Sequence, residues 1–232
     1  MDRVDITLDE LANIVERGEI VGQGNIGIVY KLDDLTLFKF KFKKFIDCFK
    51  IKNNRINLRD FLQNEFLKEV HTRKEIESIL IRNKFGCEEE HIINANKRKN
   101  NIKYSRLTKG LVYYNNYCIG YTLDYHKNMI PLYDYLQKHL LTSFQRNSIE
   151  IQMKRAFQEL IDNNIYLSDM TTHNILYNPN SGEIQLIDFE DSLYCTGESV
   201  PHKEKDMIRT LKYNLLYLSE HDENEPNLID LL

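Results

Sequence analysis

Residues 166–176 read YLSDMTTHNIL, and residues 186–190 read LIDFE. The first segment places Asp169 five positions before Asn174, and the second contains Asp188. A run of turn-forming residues, NPNSG, separates two short extended segments between Asn174 and Asp188, which predicts a β-hairpin. Carboxylate and amide oxygens are ligands that Mg²⁺ prefers. Asn174 and Asp188 are therefore candidate metal ligands, although a lone aspartate at a strand end is more often a turn or cap residue.

A glycine-rich segment lies near the N-terminus, where residues 22–29 read GQGNIGIV and match G-x-G-x-x-G-x-V. Gly22, Gly24 and Gly27 would let the backbone approach phosphate oxygens closely. The following residues 28–32 are β-branched and aromatic, so the loop leads into a strand. This favours a strand–loop–strand flap over a dinucleotide-binding turn, which would lead into a helix. An ordinary glycine hairpin is the alternative.

A lysine-bearing strand is predicted over residues 35–42. Alternation places Leu37 and Lys39 on one face and Phe38 and Phe40 on the other. Lys41 and Lys43 share the Lys39 face, so the choice of lysine stays open; Lys39 is preferred because it is nearest the predicted strand centre.

The long helix predicted over Asp60–Asn83 carries four candidate acidic partners for this lysine. A broad apolar side that includes Leu62, Phe66 and Val70 supports the helix. The candidates are Glu65, Glu69, Glu75 and Glu77.

The remaining pattern predicts strands in the first half of the chain and helices in the second. A leading helix ends at Gly18, and a strand hairpin over residues 104–125 turns at Asn115-Asn116. Helices are predicted over Ser143–Asn163 and Met207–Leu218. This division predicts two unlike lobes.

Composition excludes several classes of protein. The 232 residues are 42% hydrophobic and 28% charged with a formal net charge of -4, which predicts a globular protein without a general affinity for nucleic acid or anionic membranes. We find neither an apolar run of about 18 residues nor a secretory signal. The four cysteines form no C-x-x-C pair, so we expect reduced thiols and a cytoplasmic location.

Taken in order, these motifs resemble the protein-kinase-like superfamily, especially its compact bacterial or phage-borne members. The resemblance covers about Glu19–Leu218. It implies an α+β, bilobal kinase-like fold with a β-rich N-lobe and a truncated helical C-lobe. One domain would span residues 1–232, with the N-lobe over about 1–122, a hinge over about 123–127 and the C-lobe over about 128–232.

The resemblance also implies roles in nucleotide binding. Lys39 would contact the nucleotide phosphates and pair with Glu75, with Glu69 as the rival partner. The other implied nucleotide contacts are Gly22, Gly24, Gly27, Val29, Leu37, Leu123, Asp124, Tyr125 and Leu176.

For catalysis, the resemblance implies that Asp169 accepts or orients the proton of the attacking hydroxyl. Asn174 and Asp188 would hold Mg²⁺ against the ATP phosphates. Asp206 resembles the aspartate that braces the catalytic loop.

Four features depart from the family pattern. Leu167 and Ser168 replace the usual H-R pair, so control through a phosphorylated activation loop is not expected. Thr171 stands where protein kinases carry a lysine and aminoglycoside phosphotransferases often carry a histidine. Glu190 replaces the glycine of D-F-G. The A-P-E motif and most of the peptide-docking helices are missing.

The implied activity is an ATP- and Mg²⁺-dependent phosphotransferase, foremost a protein kinase acting on Ser/Thr or Tyr hydroxyls of an unknown protein. A small-molecule kinase of the aminoglycoside-phosphotransferase type is the first alternative. A nucleotide-binding pseudokinase and a pure interaction module are the others. Delivery into a host cell as an effector stays open.

Overall fold

In a computed structural model, the chain is an α+β protein whose largest element is a six-stranded mixed sheet. The structure describes residues 1–24, 27–42, 58–66, 68, 70–75, 88–97, 102–105, 108–167, 170–189, 192–194 and 200–223. The chain divides into two compact units, Met1–Glu90 with Thr108–Lys127 and His91–Leu107 with Asn128–Leu232. The predicted lobe limits at about 122 and 128 stay a prediction, and residues 91–107 group with the second unit.

The first unit contains the six-stranded sheet and its covering helices. Its strands are β1 (Asp2–Asp5), β2 (Glu19–Gln23), β3 (Ile28–Lys31), β4 (Thr36–Phe40), β5 (Gly110–Tyr114) and β6 (Tyr117–Asp124). The strand order is β1-β5-β6-β4-β3-β2, in which only β1 and β5 pair in parallel. The helices are α1 (Leu8–Arg17) and α2 (Leu58–Phe61), which continues as a π-helical turn over Leu62–Phe66, and residues 70–75 are also helical.

A hydrophobic core lies between one face of this sheet and its helices. Phe38 and Phe40 from the sheet, Leu11 from α1 and Leu62 and Phe66 from the π-helical turn are all buried in it. Helix α1 begins with a capping box, in which the Thr7 hydroxyl accepts from the N–H three residues later, a feature that stabilises a helix start.

The second unit is built on two long helices and two small sheets. The helices are α3 (Glu88–Asn96), whose first turn belongs to the first unit, α4 (Leu132–Leu136), α5 (Ser143–Asp162) and α6 (Val200–Ser219). The strands are β7 (Ile130–Pro131), β8 (Ile165–Leu167), β9 (Ile175–Tyr177), β10 (Ile184–Leu186) and β11 (Ser192–Tyr194). They pair as β10-β9-β7 and β11-β8. None of the helices in the described ranges is long and apolar enough to cross a lipid bilayer.

Three predicted boundaries differ from the structure. The helix predicted from Asp60 begins at Leu58 and passes into the π-helical turn, which brings Phe61 and Phe66, five residues apart, into the buried side together; residues 76–83 lie outside the described part. Helix α6 begins at Val200 rather than Met207. Its first turns are polar and carry no apolar pattern, so the sequence did not indicate the earlier start. The predicted hairpin begins at Gly110 rather than Tyr104.

Tyr104 belongs to the second unit, which explains the shorter hairpin. The Leu186 N–H donates to the Tyr104 carbonyl oxygen at 2.7 Å. Ser105 forms an isolated parallel bridge with Leu186, so the partner of this segment is β10 and not β6.

Candidate active site

One face of the first unit's sheet gathers the predicted nucleotide-binding side chains. In the β3–β4–β6 register, Lys39 lies opposite Val29 and Tyr121, and Leu37 lies opposite Leu123. Residues directly opposite each other on antiparallel strands point to the same side of the sheet. Val29, Leu37, Lys39 and Leu123 therefore share one face.

This face is the one turned away from the hydrophobic core. Phe38 and Phe40 alternate with Leu37 and Lys39 along β4, and the two phenylalanines are 1% and 0% exposed within the core. The predicted alternation of β4 is thus confirmed. Leu37 and Lys39 lie outside this core cluster, and Leu37 is nevertheless only 6% exposed.

Gly27, at one end of the glycine-rich loop, lies against the Lys39 side chain. The Gly24 N–H donates to the Gly27 carbonyl oxygen at 2.9 Å, which joins the two ends of the loop; Asn25 and Ile26 lie outside the described residues. A Cβ added at Gly27 would lie 3.0 Å from the Phe40 carbonyl oxygen and 3.3 Å from Lys39 Cε. A side chain at this position would require the lysine stem or the strand to shift by a few tenths of an ångström.

Burial separates the candidate lysines. Lys39 is partly exposed, and its Nζ lies 5.8 Å from the centre of the Tyr121 ring. Lys41 is only 7% exposed and follows the end of β4. Lys41 is therefore the less accessible of the two, and the choice of Lys39 stays a prediction. Lys43 lies outside the described residues.

The acidic partner of Lys39 stays a prediction. Glu75 is exposed at the end of the helical residues 70–75, and Glu65 is exposed on the π-helical turn, 4.0 Å from the Lys68 ammonium group. Glu69 and Glu77 lie outside the described residues.

The segment predicted to meet the adenine continues β6. The Tyr125 N–H donates to the Leu35 carbonyl oxygen at 2.8 Å, so this donor is already used within the sheet. Peptide groups of successive residues in an extended chain point to opposite sides. The backbone groups of Asp124 therefore point to the other side of β6. On that side β6 pairs with β5, which begins only opposite Thr122.

In the second unit, the two predicted metal ligands come together at one end of the β9–β10 hairpin. The Ile187 N–H donates to the Asn174 carbonyl oxygen at 2.9 Å, which extends the ladder beyond the pair Leu186–Ile175. Asp188 directly follows Ile187, and both Asn174 and Asp188 are partly exposed. The hairpin thus brings an amide and a carboxylate, fourteen positions apart in the chain, to the same end.

Asp188 has an unusual backbone conformation, with a φ angle of 73°. Aspartate and asparagine tolerate this left-handed region better than most residues, but it still costs energy. Such strain is often kept where it orients a functional side chain.

The other predicted residues of this unit have mixed outcomes. Asp169 lies outside the described residues, as do Ser168 and Glu190. Leu176 is 8% exposed on β9 and lies outside the core cluster that contains its neighbours on the strand.

Two polar residues near the predicted catalytic loop have roles that the sequence did not specify. The His173 ring stacks on the Tyr133 ring, with centres 3.9 Å apart. Asp206 lies within α6 rather than at its start, and it contacts His202 and Arg209 on its own helix.

A buried hydrogen bond to the backbone of the predicted catalytic loop comes from Asn214, which sequence reasoning missed. Its side-chain amide donates to the Met170 carbonyl oxygen. One asparagine on the inner side of an amphipathic helix gives no motif by which it could have been found.

The donor set at the hairpin end fits a hard cation. The described residues contain no cluster of three His, Cys, Asp or Glu side chains that could hold a metal ion. Asn174 and Asp188 supply amide and carboxylate oxygens, as Mg²⁺ prefers, and Mg²⁺ usually keeps several waters and substrate phosphates as its other ligands. Two protein ligands are therefore sufficient for a magnesium site that also binds phosphate.

Comparison with known proteins adds no assignment. No protein-family model matches this chain, and no curated protein matches it. The kinase-like interpretation rests on the residues and the geometry described above.

Proposed function

We propose that this protein is an ATP- and Mg²⁺-dependent phosphotransferase with a bilobal kinase-like fold, acting as a protein kinase on Ser/Thr or Tyr hydroxyls. The observation that carries the proposal is the shared sheet face, on which Val29, Leu37, Lys39 and Leu123 lie together beside the glycine loop. These residues are separated in the chain, and a nucleotide-binding role accounts for all of them at once.

The strand order supports this interpretation. The glycine loop joins β2 and β3, the Lys39 strand β4 lies next to β3, and β6 lies on the other side of β4. The lysine is thus flanked by the phosphate-binding loop and by the strand that leads to the proposed adenine-binding segment. In that segment the backbone of Asp124 would hydrogen-bond to the adenine, because the Tyr125 N–H already donates to Leu35.

The aliphatic and charged groups of this face have separate roles in the proposal. Val29 and Leu37 would contact the apolar faces of the adenine ring. Lys39 would bind phosphate oxygens through its ammonium group, while the methylene groups of its side chain lie against Gly27. A point charge at this position orients the phosphates and offsets their negative charge.

The second unit would supply the groups that hold the metal and the acceptor. Asn174 and Asp188 would bind Mg²⁺, whose charge offsets the negative charge on the transferred phosphoryl group. Asp169 would accept or orient the proton of the acceptor hydroxyl. The fixed positive φ of Asp188 would aim its carboxylate without a rotation of the backbone during turnover.

The test is nucleotide binding combined with turnover by the purified protein. We expect MgATP to raise the melting temperature, because a ligand that binds only the native state stabilises it. Lys39→Ala should lower kcat/KM strongly while leaving the melting temperature without nucleotide nearly unchanged, since Lys39 is partly exposed.

Lys41→Ala is the matched control on the same segment. It should lower stability, because Lys41 is buried, with a smaller effect on kcat/KM per molecule that remains folded. The lysine assignment would be wrong if the two variants exchanged these effects. No stabilisation by ATP and no turnover would favour an interaction module, and transfer only to added small alcohols would favour a small-molecule kinase.

A further inference from the structure

We infer that Asn214 is a positioning residue, which holds the proposed catalytic loop to helix α6 at Met170. This inference rests on the proposed function for its catalytic meaning, but its structural part can be tested separately. Asn214 is only 6% exposed, and its side-chain Nδ2 donates to the Met170 carbonyl oxygen at 2.7 Å. Met170 directly follows Asp169 in the chain.

The amide of Asn214 uses both of its N–H groups. Besides the bond to Met170, Nδ2 donates to the Thr210 carbonyl oxygen one turn earlier on α6, at 3.1 Å. A side-chain amide has two donors on one nitrogen, so one group bridges the helix and the loop. A buried carbonyl that loses such a donor carries a desolvation penalty, which makes this bond costly to break.

Helix α6 is itself packed into the core of the second unit. Met207 and Leu218 from α6 are 2% and 0% exposed in the core of the second unit, and Met170 itself is 1% exposed in the same core. The loop is therefore fixed at Met170 both by packing and by a directed hydrogen bond.

From Met170, a short series of backbone bonds leads to both proposed metal ligands. The Asn174 N–H donates to the Thr171 carbonyl oxygen at 2.9 Å, and the Ile187 N–H donates to the Asn174 carbonyl oxygen at 2.9 Å. Asp188 follows Ile187. The Asn214 side chain thus connects α6 to the loop that follows the proposed base. Two backbone hydrogen bonds then connect this loop to the proposed metal ligands.

This arrangement predicts a specific kinetic effect. The two hydrogen bonds of the Asn214 amide go to the carbonyl oxygens of Met170 and Thr210, both in the second unit. Its loss should loosen the loop next to Asp169 and affect ATP binding less, because the proposed adenine and phosphate contacts belong to the first unit. Small displacements of a positioned catalytic group cost up to about a hundredfold in rate. We expect Asn214→Ala to lower kcat at least about tenfold and to change KM for ATP by less than about twofold.

Asn96→Ala is the matched control. The Asn96 amide donates to the carbonyl oxygen of Ile92, one turn earlier on α3, at 3.1 Å, as Asn214 does on α6. Asn96 therefore reproduces the bond along the helix without the bond to the loop. This variant should keep kcat unchanged when activity is expressed per folded molecule.

Asn214→Asp provides a second variant of nearly the same size. Its carboxylate has no donor when ionised and would face two carbonyl oxygens, so it should lower kcat at least as much as Asn214→Ala. Equal kcat for wild type and either folded Asn214 variant, or an equal loss in Asn96→Ala, would overturn the inference.

Amide hydrogen exchange keeps this test separate from the proposed function. In either Asn214 variant that folds, exchange of the Asn174 and Ile187 amides should become at least about tenfold faster, with α5 amides unchanged. Unchanged exchange at these two amides would overturn the anchoring role. A wild-type protein without turnover would contradict the proposed kinase activity, and exchange would still decide whether Asn214 holds the loop.

Discussion

The backbone strain at Asp188 can be measured by comparing Asp188→Gly with Asp188→Ala. Both variants remove the carboxylate and every contact that it makes, so their difference reports the backbone alone. At an ordinary position, glycine is less stable than alanine by roughly 0.5–1 kcal/mol because the unfolded chain gains freedom. At the φ of 73° found here, a Cβ costs about 1–2 kcal/mol in the folded state.

The two effects have opposite signs, and the structural one is larger. Asp188→Gly should therefore be more stable than Asp188→Ala by about 0.5–1 kcal/mol. For a chain of this size, that corresponds to a melting temperature higher by roughly 1–4 °C. Both variants should lack phosphotransferase activity, because neither has the proposed metal ligand.

The assay is chemical and thermal unfolding without nucleotide, with Asn164 as the control position. Asn164 follows α5 with a φ of 57°, so Asn164→Gly should likewise exceed Asn164→Ala in stability. If the Asn164 pair gave this result while Asp188→Ala were the more stable member of its pair, the strain at Asp188 would be refuted.

Three further results are expected. Asp222→Ala should lower the free energy of unfolding by about 1–3 kcal/mol, because it removes a carboxylate only 1% exposed that lies 3.0 Å from the Arg146 guanidinium, whereas Arg146 keeps Glu150 as a second partner; a loss below about 0.5 kcal/mol in urea titrations would contradict this. Gly27→Ala should destabilise by about 1–3 kcal/mol, because its Cβ would meet a backbone carbonyl oxygen at 3.0 Å, whereas Gly24→Ala, with open space around its Cβ, should change stability by less than about 0.5 kcal/mol. Burial and a hydrogen bond to a carboxylate raise the pKa of Tyr113 above its usual value of 10.0. The stability that the neutral Tyr113 hydroxyl contributes to the folded state is therefore complete below about pH 10 and is lost as the pH rises further. Unfolding free energies between about pH 9 and about pH 11 should therefore decline less steeply in Tyr113→Phe than in wild type.

The strands β3 and β4 and the turn between β5 and β6 follow from local sequence, because alternation and turn chemistry act over a few residues. The period-two pattern of β4 placed Lys39 and Phe38 on opposite faces, as the structure confirms. Asn115 and Asn116 were identified as a turn, and their φ angles of 49° and 61° are those that a tight hairpin requires.

The shared face was only partly predictable. Alternation gives the face of each side chain within one strand, but the common face depends on register between strands distant in sequence. Leu37 lies opposite Leu123 because β4 pairs with β6, and about eighty residues separate them. No local pattern specifies that pairing, so the resemblance to kinases, not the alternation, suggested that both contact one nucleotide.

Other features had no signal in the sequence. Strand β1 is exposed at all four residues, so it shows no alternation, and it is held by parallel pairing with β5. Asn214 is a polar residue on a buried helix side whose partner is a backbone carbonyl oxygen, which no sequence pattern marks. The positive φ of Asp188 likewise depends on the bonds around it and not on residue type alone.

Transfer of the γ-phosphoryl group of labelled ATP, with Mg²⁺, tests the central claim most directly. Wild type, Asp188→Asn and Asp169→Ala would be compared at equal concentrations of folded protein, with and without a mixture of candidate acceptors. The account predicts label on the protein itself or on an acceptor, reduced by more than about a hundredfold in both variants. Transfer by Asp188→Asn near the wild-type rate would contradict the metal assignment, and no transfer by wild type under any of these conditions would contradict the proposed activity.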